Sequence, residues 1–140
     1  MAVTYLKPHH IGAKKTIAQA MRDSFAYGKN PIKTRDGELV TSYMCDAQVA
    51  YEEFLLSKAK YRAITGRAQG VDDDILFYQI RQSFLPGEID HAAALEIGHD
   101  LAMRWTKGNH AFFVASHIDR PHPHIHIYYN STTLDSTHKF

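Results

Sequence analysis

The sequence predicts an α+β domain, a single antiparallel or mixed sheet with helices packed on it, and three observations lead there. Its 140 residues, 44% hydrophobic and 22% charged with only 8 Gly and 5 Pro, have the size and composition of one globular domain. Hydrophobic periodicity reads in the order β-α-β-α-β-α-β-β, closing on two adjacent strands. No internal repeat, linker or low-complexity run interrupts that order. A chain of this length buries very roughly two-thirds of the surface that it exposes unfolded, so its core needs no staple. The lone Cys45 agrees, since no intrachain disulfide can form. No apolar run approaches the ~20 residues that span a bilayer. The first ten residues include Lys7 and His9 and lack the apolar core of a signal peptide, so the expectation is a cytoplasmic protein without membrane insertion.

Ala2 to Lys7 alternates as a short strand, expected to stop at Pro8 because proline cannot donate to a ladder. Ile17, Ala20, Met21 and Phe25 recur at helical spacing, with Thr16 or the stretch 12–15 as the start and Tyr27-Gly28 as the end before Asn30-Pro31. Arg35-Asp36-Gly37 is a turn, and Glu38 to Met44 is a strand, which would set Tyr27 at a helix end facing a sheet edge. Asp46 caps a helix to about Thr65 with Val49, Phe54, Leu55 and Leu56 inward and Gly66 as its stop. Val71 to Asp74 is a loop, and Ile75 to Phe84 alternates as a strand closed by Pro86-Gly87. Asp90 caps a third helix, His91 to Thr106, whose Ala94, Leu95, Ile97, Leu101 and Trp105 follow the 3.6 period. Ala111 to Ser116 is short and apolar, hence a buried strand, and His124 to Tyr129 alternates again after a hairpin loop.

Net charge is +1, which gives no global field to steer a polyanion, so any nucleic-acid surface is local. Lys58, Lys60, Arg62 and Arg67 form the one dense basic stretch, either a solvated helix face or a face that tracks phosphates. Histidine carries more information than charge. Six of the ten lie in the last 31 residues, at 110, 117, 122, 124, 126 and 138.

On a strand from 124 to 129, His124 and His126 project from one face with Cβ atoms ~7 Å apart, two rises of ~3.3 Å. His117, at the end of the preceding strand, is returned by the hairpin as a third nitrogen, giving three protein ligands and open positions as in catalytic metal sites. Asp119 can accept the proton of a ligand's second ring nitrogen. His122, between Pro121 and Pro123, is an additional candidate whose direction the spacing leaves open. Packing alone gives no reason to set two imidazoles on one face among Ile125, Ile127 and the apolar run Ala111 to Val114. Three imidazoles suit Zn, Mn, Fe, Co, Ni or Cu, and ligand softness alone does not favour Mg. Such an ion polarises a phosphoryl oxygen or activates a nucleophile.

The pattern H-x-D-x-x-x-x-H-x-H at 117–126, followed by Asn130-Ser131, resembles the metal motif of the relaxase/mobilisation nucleases, members of the HUH endonuclease superfamily. Gln82 to Glu88 (QSFLPGE) resembles that family's middle motif, and Tyr27 to Thr34 (YGKNPIKT) its tyrosine motif. The resemblance implies a palm-like, mostly antiparallel five-stranded sheet with the metal at its centre and helices behind. It implies site- and strand-specific nicking and rejoining of single-stranded DNA at an origin of transfer, with an adjacent hairpin as a candidate partner element, in mobilisation of a plasmid or transposon. Tyr27 would attack the scissile phosphate and remain as a covalent 5′-phosphotyrosyl adduct, with Asp119 as a second catalytic residue. His117, His124 and His126 would hold one divalent ion, Mn or Mg by family and Zn, Ni or Co by ligand chemistry. Lys33, Arg81, Ser83 and Asn130 would contact DNA, and accessory relaxosome and coupling proteins would be partners. Family chains continue beyond this length, so 1–140 is expected to be an N-terminal nuclease domain truncated at its C-terminus.

A phenol is a weak nucleophile near neutral pH, which is why a tyrosine needs an ion to neutralise the phosphodiester. Tyr5, Tyr43 and Tyr78 lie on strands that could face the same cleft, and His9-His10 offers another nucleophile. Two other readings are a three-histidine metallohydrolase using metal-bound water and a non-catalytic DNA-binding accessory protein.

Overall fold

A computed structural model describes residues 3–10, 16–67 and 75–140. Ala2, the stretch 12–15 and the expected loop at 71–74 lie outside the described residues. The strands are β1 (Val3–His9), β2 (Val40–Tyr43), β3 (Phe77–Ser83), β4 (Phe112–His117) and β5 (His124–Asn130). The helices are α1 (Ile17–Gly28), α2 (Ala50–Thr65) and α3 (His91–Thr106). They form an α+β fold around one sheet of order β1-β3-β5-β4-β2 in which every pairing is antiparallel. Among the described residues no helix is long and apolar enough to cross a membrane.

Local chemistry sets the boundaries. Thr16 caps α1 through a capping box with Gln19, Asp90 caps α3 by accepting from the Ala93 amide, and Gly66 ends α2 at φ 75°. Asp46 caps a 3₁₀ turn, Ala47–Val49, that leads into α2. The first strand continues through Pro8 to His9, contrary to the expected stop. It is an edge strand, where a missing donor is tolerated because one row of backbone groups has no strand partner.

Strand alternation sorts the side chains. Ile80, Phe112, Val114, Ile125, Ile127 and Tyr129 face α3; Phe77, Phe113 and Tyr128 face α1 and α2. Phe25 sits edge-on to Phe54, Phe77, Phe113 and Tyr128, with centroids at 5.2, 4.9, 5.0 and 5.5 Å. This arrangement suits aromatic quadrupoles better than face-to-face stacking.

Two helix faces differ from expectation. The buried stripe of α3 is Ala94, Gly98, Ala102 and Thr106, whereas Ile97 and Trp105 are exposed. Small residues let α3 lie close on the sheet: a Cβ at Gly98 would stand 2.4 Å from Ile125 Cδ1. On α2 the buried stripe is Ala50, Phe54, Lys58 and Tyr61, which leaves Leu56 exposed and Val49 in the preceding turn exposed as well. In α3 large apolar residues flank the contact instead of filling it, whereas α2 fills its contact with Phe54 and Tyr61.

Candidate metal centre and nuclease site

The hairpin from β4 to β5 sets His117 directly opposite His124, with His126 two residues along on the same face. The ring centroids lie 4.0 Å (His117–His126), 5.2 Å (His117–His124) and 5.3 Å (His124–His126) apart. One ring nitrogen from each falls within 4.8 Å of the others. One nitrogen of each ring has a partner: His117 Nε2 faces Gly28 O at 2.8 Å, His124 Nε2 faces Asp119 Oδ1 at 3.3 Å, and His126 Nδ1 faces Gln79 Nε2 at 3.0 Å. His117 Nδ1, His124 Nδ1 and His126 Nε2 are buried without a hydrogen-bond partner.

Buried polar atoms are ordinarily satisfied, so three unpartnered nitrogens in one cluster are an arrangement that a cation completes. Burial lowers all three pKa values, and for His126, with His117 and His124 adding their repulsion, the value is pushed down to about 2. Neutral imidazole is the form that binds metal. The donor set therefore fits a divalent ion of the borderline class.

Tyr27 lies over the middle of the sheet, not at its edge as expected. Its ring centroid is 6.1 Å from that of His117 and 6.3 Å from that of His126. Gly28 explains the placement by close approach, not by flexibility. A Cβ there would meet Tyr128 ring atoms at 2.5 to 2.7 Å, and its carbonyl accepts from His117, so the end of α1 rests directly on the sheet. Lys33 stands over the Tyr27 ring at 4.1 Å and pairs with Asp119 at 3.6 Å. The Ile118 amide donates to Lys33 O at 2.7 Å, which ties the segment after α1 to the hairpin. Asp119 thus backs His124, not His117. Burial tends to raise its carboxyl, but His124 and Lys33 outweigh that and hold it below the usual carboxylate range.

Tyr27, Lys33, Asp119, His124 and His126 line a cleft of about 220 Å³ together with Arg81, Ser83, Arg120 and His122. Arg81 lies opposite His126 and Ser83 opposite His124 across the β3–β5 pairing. His122 sits beside His124, centroids 5.6 Å apart, but outside the three-histidine group. Asn130 is not in the cleft. It is 3% exposed, accepts from Lys58 Nζ at 3.0 Å and donates to Ser57 Oγ, so its side chain is spent on the fold and is not available to DNA. Lys58 likewise leaves the basic stretch for the interior, where it also reaches Ser131 and Thr132. None of Lys58, Lys60, Arg62 and Arg67 lines the cleft. Tyr43 and Tyr78 face α3, with Tyr43 donating to Gly108 O and Tyr78 stacked on Tyr129. Tyr5 is exposed, on the cleft side of β1 opposite Arg81. His9 stacks on Phe77 and bonds Gln79.

Residues 27–140 match the family model "Relaxase: MobA/VirD2-like, nuclease domain". This chain belongs to that family. It is 28% identical over 152 aligned positions to the group II intron-interrupted relaxase LtrB of Lactococcus lactis subsp. cremoris, covering 91% of this chain and 27% of that protein. It is 32% identical over 96 positions to the protein rlx of Staphylococcus aureus, covering 69% of this chain and 28% of that protein. The relaxase-family chain therefore spans about a quarter of the length of the curated relatives that it matches. Two contacts of this relaxase domain escaped the sequence reading, Gly28 on His117 and Gln79 on His126. Gln79 shares the strand parity of Arg81 and Ser83, so its facing was legible; that it would stand behind His126 required the register.

Proposed function

We propose that the domain nicks and rejoins single-stranded DNA at an origin of transfer, using Tyr27 as the nucleophile and one divalent ion held by His117, His124 and His126. The observation that carries this reading is the position of Tyr27 over three imidazoles that each leave a buried nitrogen unpartnered. When bound, the ion would withdraw charge from the scissile phosphate. The residues of the chain do the rest. Arg81 and Ser83 on β3 and Lys33 after α1 border the cleft and contact the phosphates on either side of the break. The Tyr27 oxygen bonds to phosphorus as the P–O3′ bond breaks, the phenol loses a proton and the released 3′ oxygen gains one. One phosphodiester replaces another, so the bond energy is conserved and the reverse step rejoins the strand. Lys33, 4.1 Å from the ring centroid, sets a positive charge beside the developing negative charge and orients the ring. Asp119 holds His124 in place and is a positioning residue.

A 5′-labelled and a 3′-labelled oligonucleotide carrying the origin of the cognate element, incubated with Mn, test this on a denaturing gel. The expected result is a protein adduct on the 5′ end of the downstream fragment that disappears in Tyr27→Phe while metal binding persists. Cleavage without an adduct, or an adduct that survives Tyr27→Phe, would overturn it. The remaining length of a full relaxase and its accessory and coupling partners would add grip and targeting to this centre.

A further inference from the structure

The strand registers set two rows across one face of the sheet. His126 stands opposite Arg81, and Arg81 opposite Tyr5; His124 stands opposite Ser83, and Ser83 opposite Val3. Directly paired residues project from the same face, so Tyr5 and Val3 carry the cleft face outward past Arg81 and Ser83. Neighbouring strands lie ~4.8 Å apart, which puts Tyr5 about 10 Å from His126 along its row. Within β1 the residues of this parity differ in use. His9 is stacked on Phe77 and bonded to Gln79, whereas Tyr5 is 58% and Val3 67% exposed. The other tyrosines of the sheet have ring partners: Tyr43 on Phe112, Tyr78 on Tyr129 and Tyr128 on Phe113. Among the described residues no ring packs on Tyr5.

Edge strands are ordinarily kept from stray contacts by charge, and an unused aromatic ring beside an exposed valine is the opposite arrangement. Its place on the sheet says what covers it. The ring lies beside two cations on the same face, Arg81 across the pairing and the exposed Lys7 two residues along β1. Rings set among cations beside a groove are the chemistry that holds single-stranded nucleic acid: the cations take phosphates and the ring takes the face of a base. Duplex bases are stacked on one another and offer no free face, so the ligand that fits is an unpaired strand. We propose that Tyr5 is a base-stacking residue of this nuclease domain, holding one unpaired base of the DNA strand whose adjoining phosphate Arg81 grips. The proposal rests on the reading that the cleft takes single-stranded DNA. Every base has a face to stack, so Tyr5 supplies grip and fixes how the strand lies over the histidines without reading its sequence.

The test uses the intact chain and single-stranded oligonucleotides carrying the origin of the cognate element, each with 2-aminopurine at one position. A Tyr27→Phe background keeps the strand uncut while anisotropy reads affinity and 2-aminopurine quenching reads stacking. The expected results are quenching confined to neighbouring positions, kept in Tyr5→Phe and lost in Tyr5→Leu, and an affinity about fivefold to a hundredfold weaker for Tyr5→Leu, the range of one base–aromatic stack. Affinity of Tyr5→Leu within twofold of its parent, or quenching that persists in it, would overturn the proposal. Should Tyr5→Leu fail to fold, Tyr5→Thr, a good strand former, takes its place. With Tyr27 restored, Tyr5→Phe should form the covalent adduct at the wild-type rate; loss of the adduct would make the Tyr5 hydroxyl a reacting group and sink the stacking role. Binding that is lost in Arg81→Ala but indifferent to Tyr5 would sink this inference and leave the DNA reading standing. No binding of any oligonucleotide would sink both.

Discussion

The same three strands build two unlike halves of one sheet face. At one end Phe77, Phe113 and Tyr128 lie under α1 and α2, and Phe25 is packed edge-on among them. At the other end, along the same parity, Ser83, Arg81, His124 and His126 border an open cleft, with His117 buried beside them. In the first half every ring is used for packing. In the second, buried nitrogens are left without partners, an arrangement that packing alone does not favour. The contrast teaches that the fold draws its stability from one half and keeps the other poised for a ligand, with Gly28 as the point where the two meet.

Breaking the packed half has the largest expected effect on stability. Phe25→Ala removes the ring at the centre of four edge contacts and is expected to lower the unfolding free energy by about 3–5 kcal/mol, read from urea denaturation. The open half should respond to pH and metal instead. The folded-state values of His117, His124 and His126 lie below the ordinary 6.5, so the unfolded chain binds more protons as pH falls. The contribution of these groups to stability is therefore present above pH 6.5 and lost progressively below it, with the His126 part extending down to about pH 2. At pH 7.5 a free metal concentration a hundredfold above Kd should add about 2.7 kcal/mol, and His124→Ala should abolish that gain; thermal melts with and without Mn check both.

Gly28→Ala tests the junction. Its new methyl group meets the Tyr128 ring and must displace the end of α1, at an overpacking cost of about 1–3 kcal/mol. Adduct formation should fall further than stability does, because Tyr27 moves with the helix end. The smallest expected effect comes from Asp119→Ala, which takes the acceptor from behind His124 and leaves the core untouched. Metal affinity should drop on the order of tenfold with the urea midpoint nearly unchanged. A large shift in that midpoint would erase the distinction between the halves at this residue.

Much of this was legible in the residues. Alternation at 124–129 put His124 and His126 on one face, and the six residues between His117 and His124 made a hairpin that sets those two opposite each other. Thr16, Asp90 and Gly66 marked helix ends through capping chemistry that depends on a few neighbours only. The inward face of α3 was misjudged because hydrophobicity ranks side chains by size, whereas close helix–sheet contact selects Ala94, Gly98 and Ala102 because they are small; on α2 Phe54 faces inward as expected, but Lys58 and Tyr61 take the places given to Leu55 and Leu56. Lys58 and Asn130 were read as surface groups because a polar side chain carries no sign of the partner that will satisfy it indoors.

The sequence by itself determined the elements, their order, the pairing of the last two strands and the clustering of three histidines, since all of these follow from periods of two or 3.6 residues and from turns. Only the tertiary structure decided that β3 enters between β1 and β5, that Gly28 touches Tyr128 and His117, and that Gln79 bridges His9 and His126. Those contacts join residues 47 to 100 positions apart along the chain, where local periodicity carries no information and only the register of the packed sheet brings the groups within hydrogen-bonding reach.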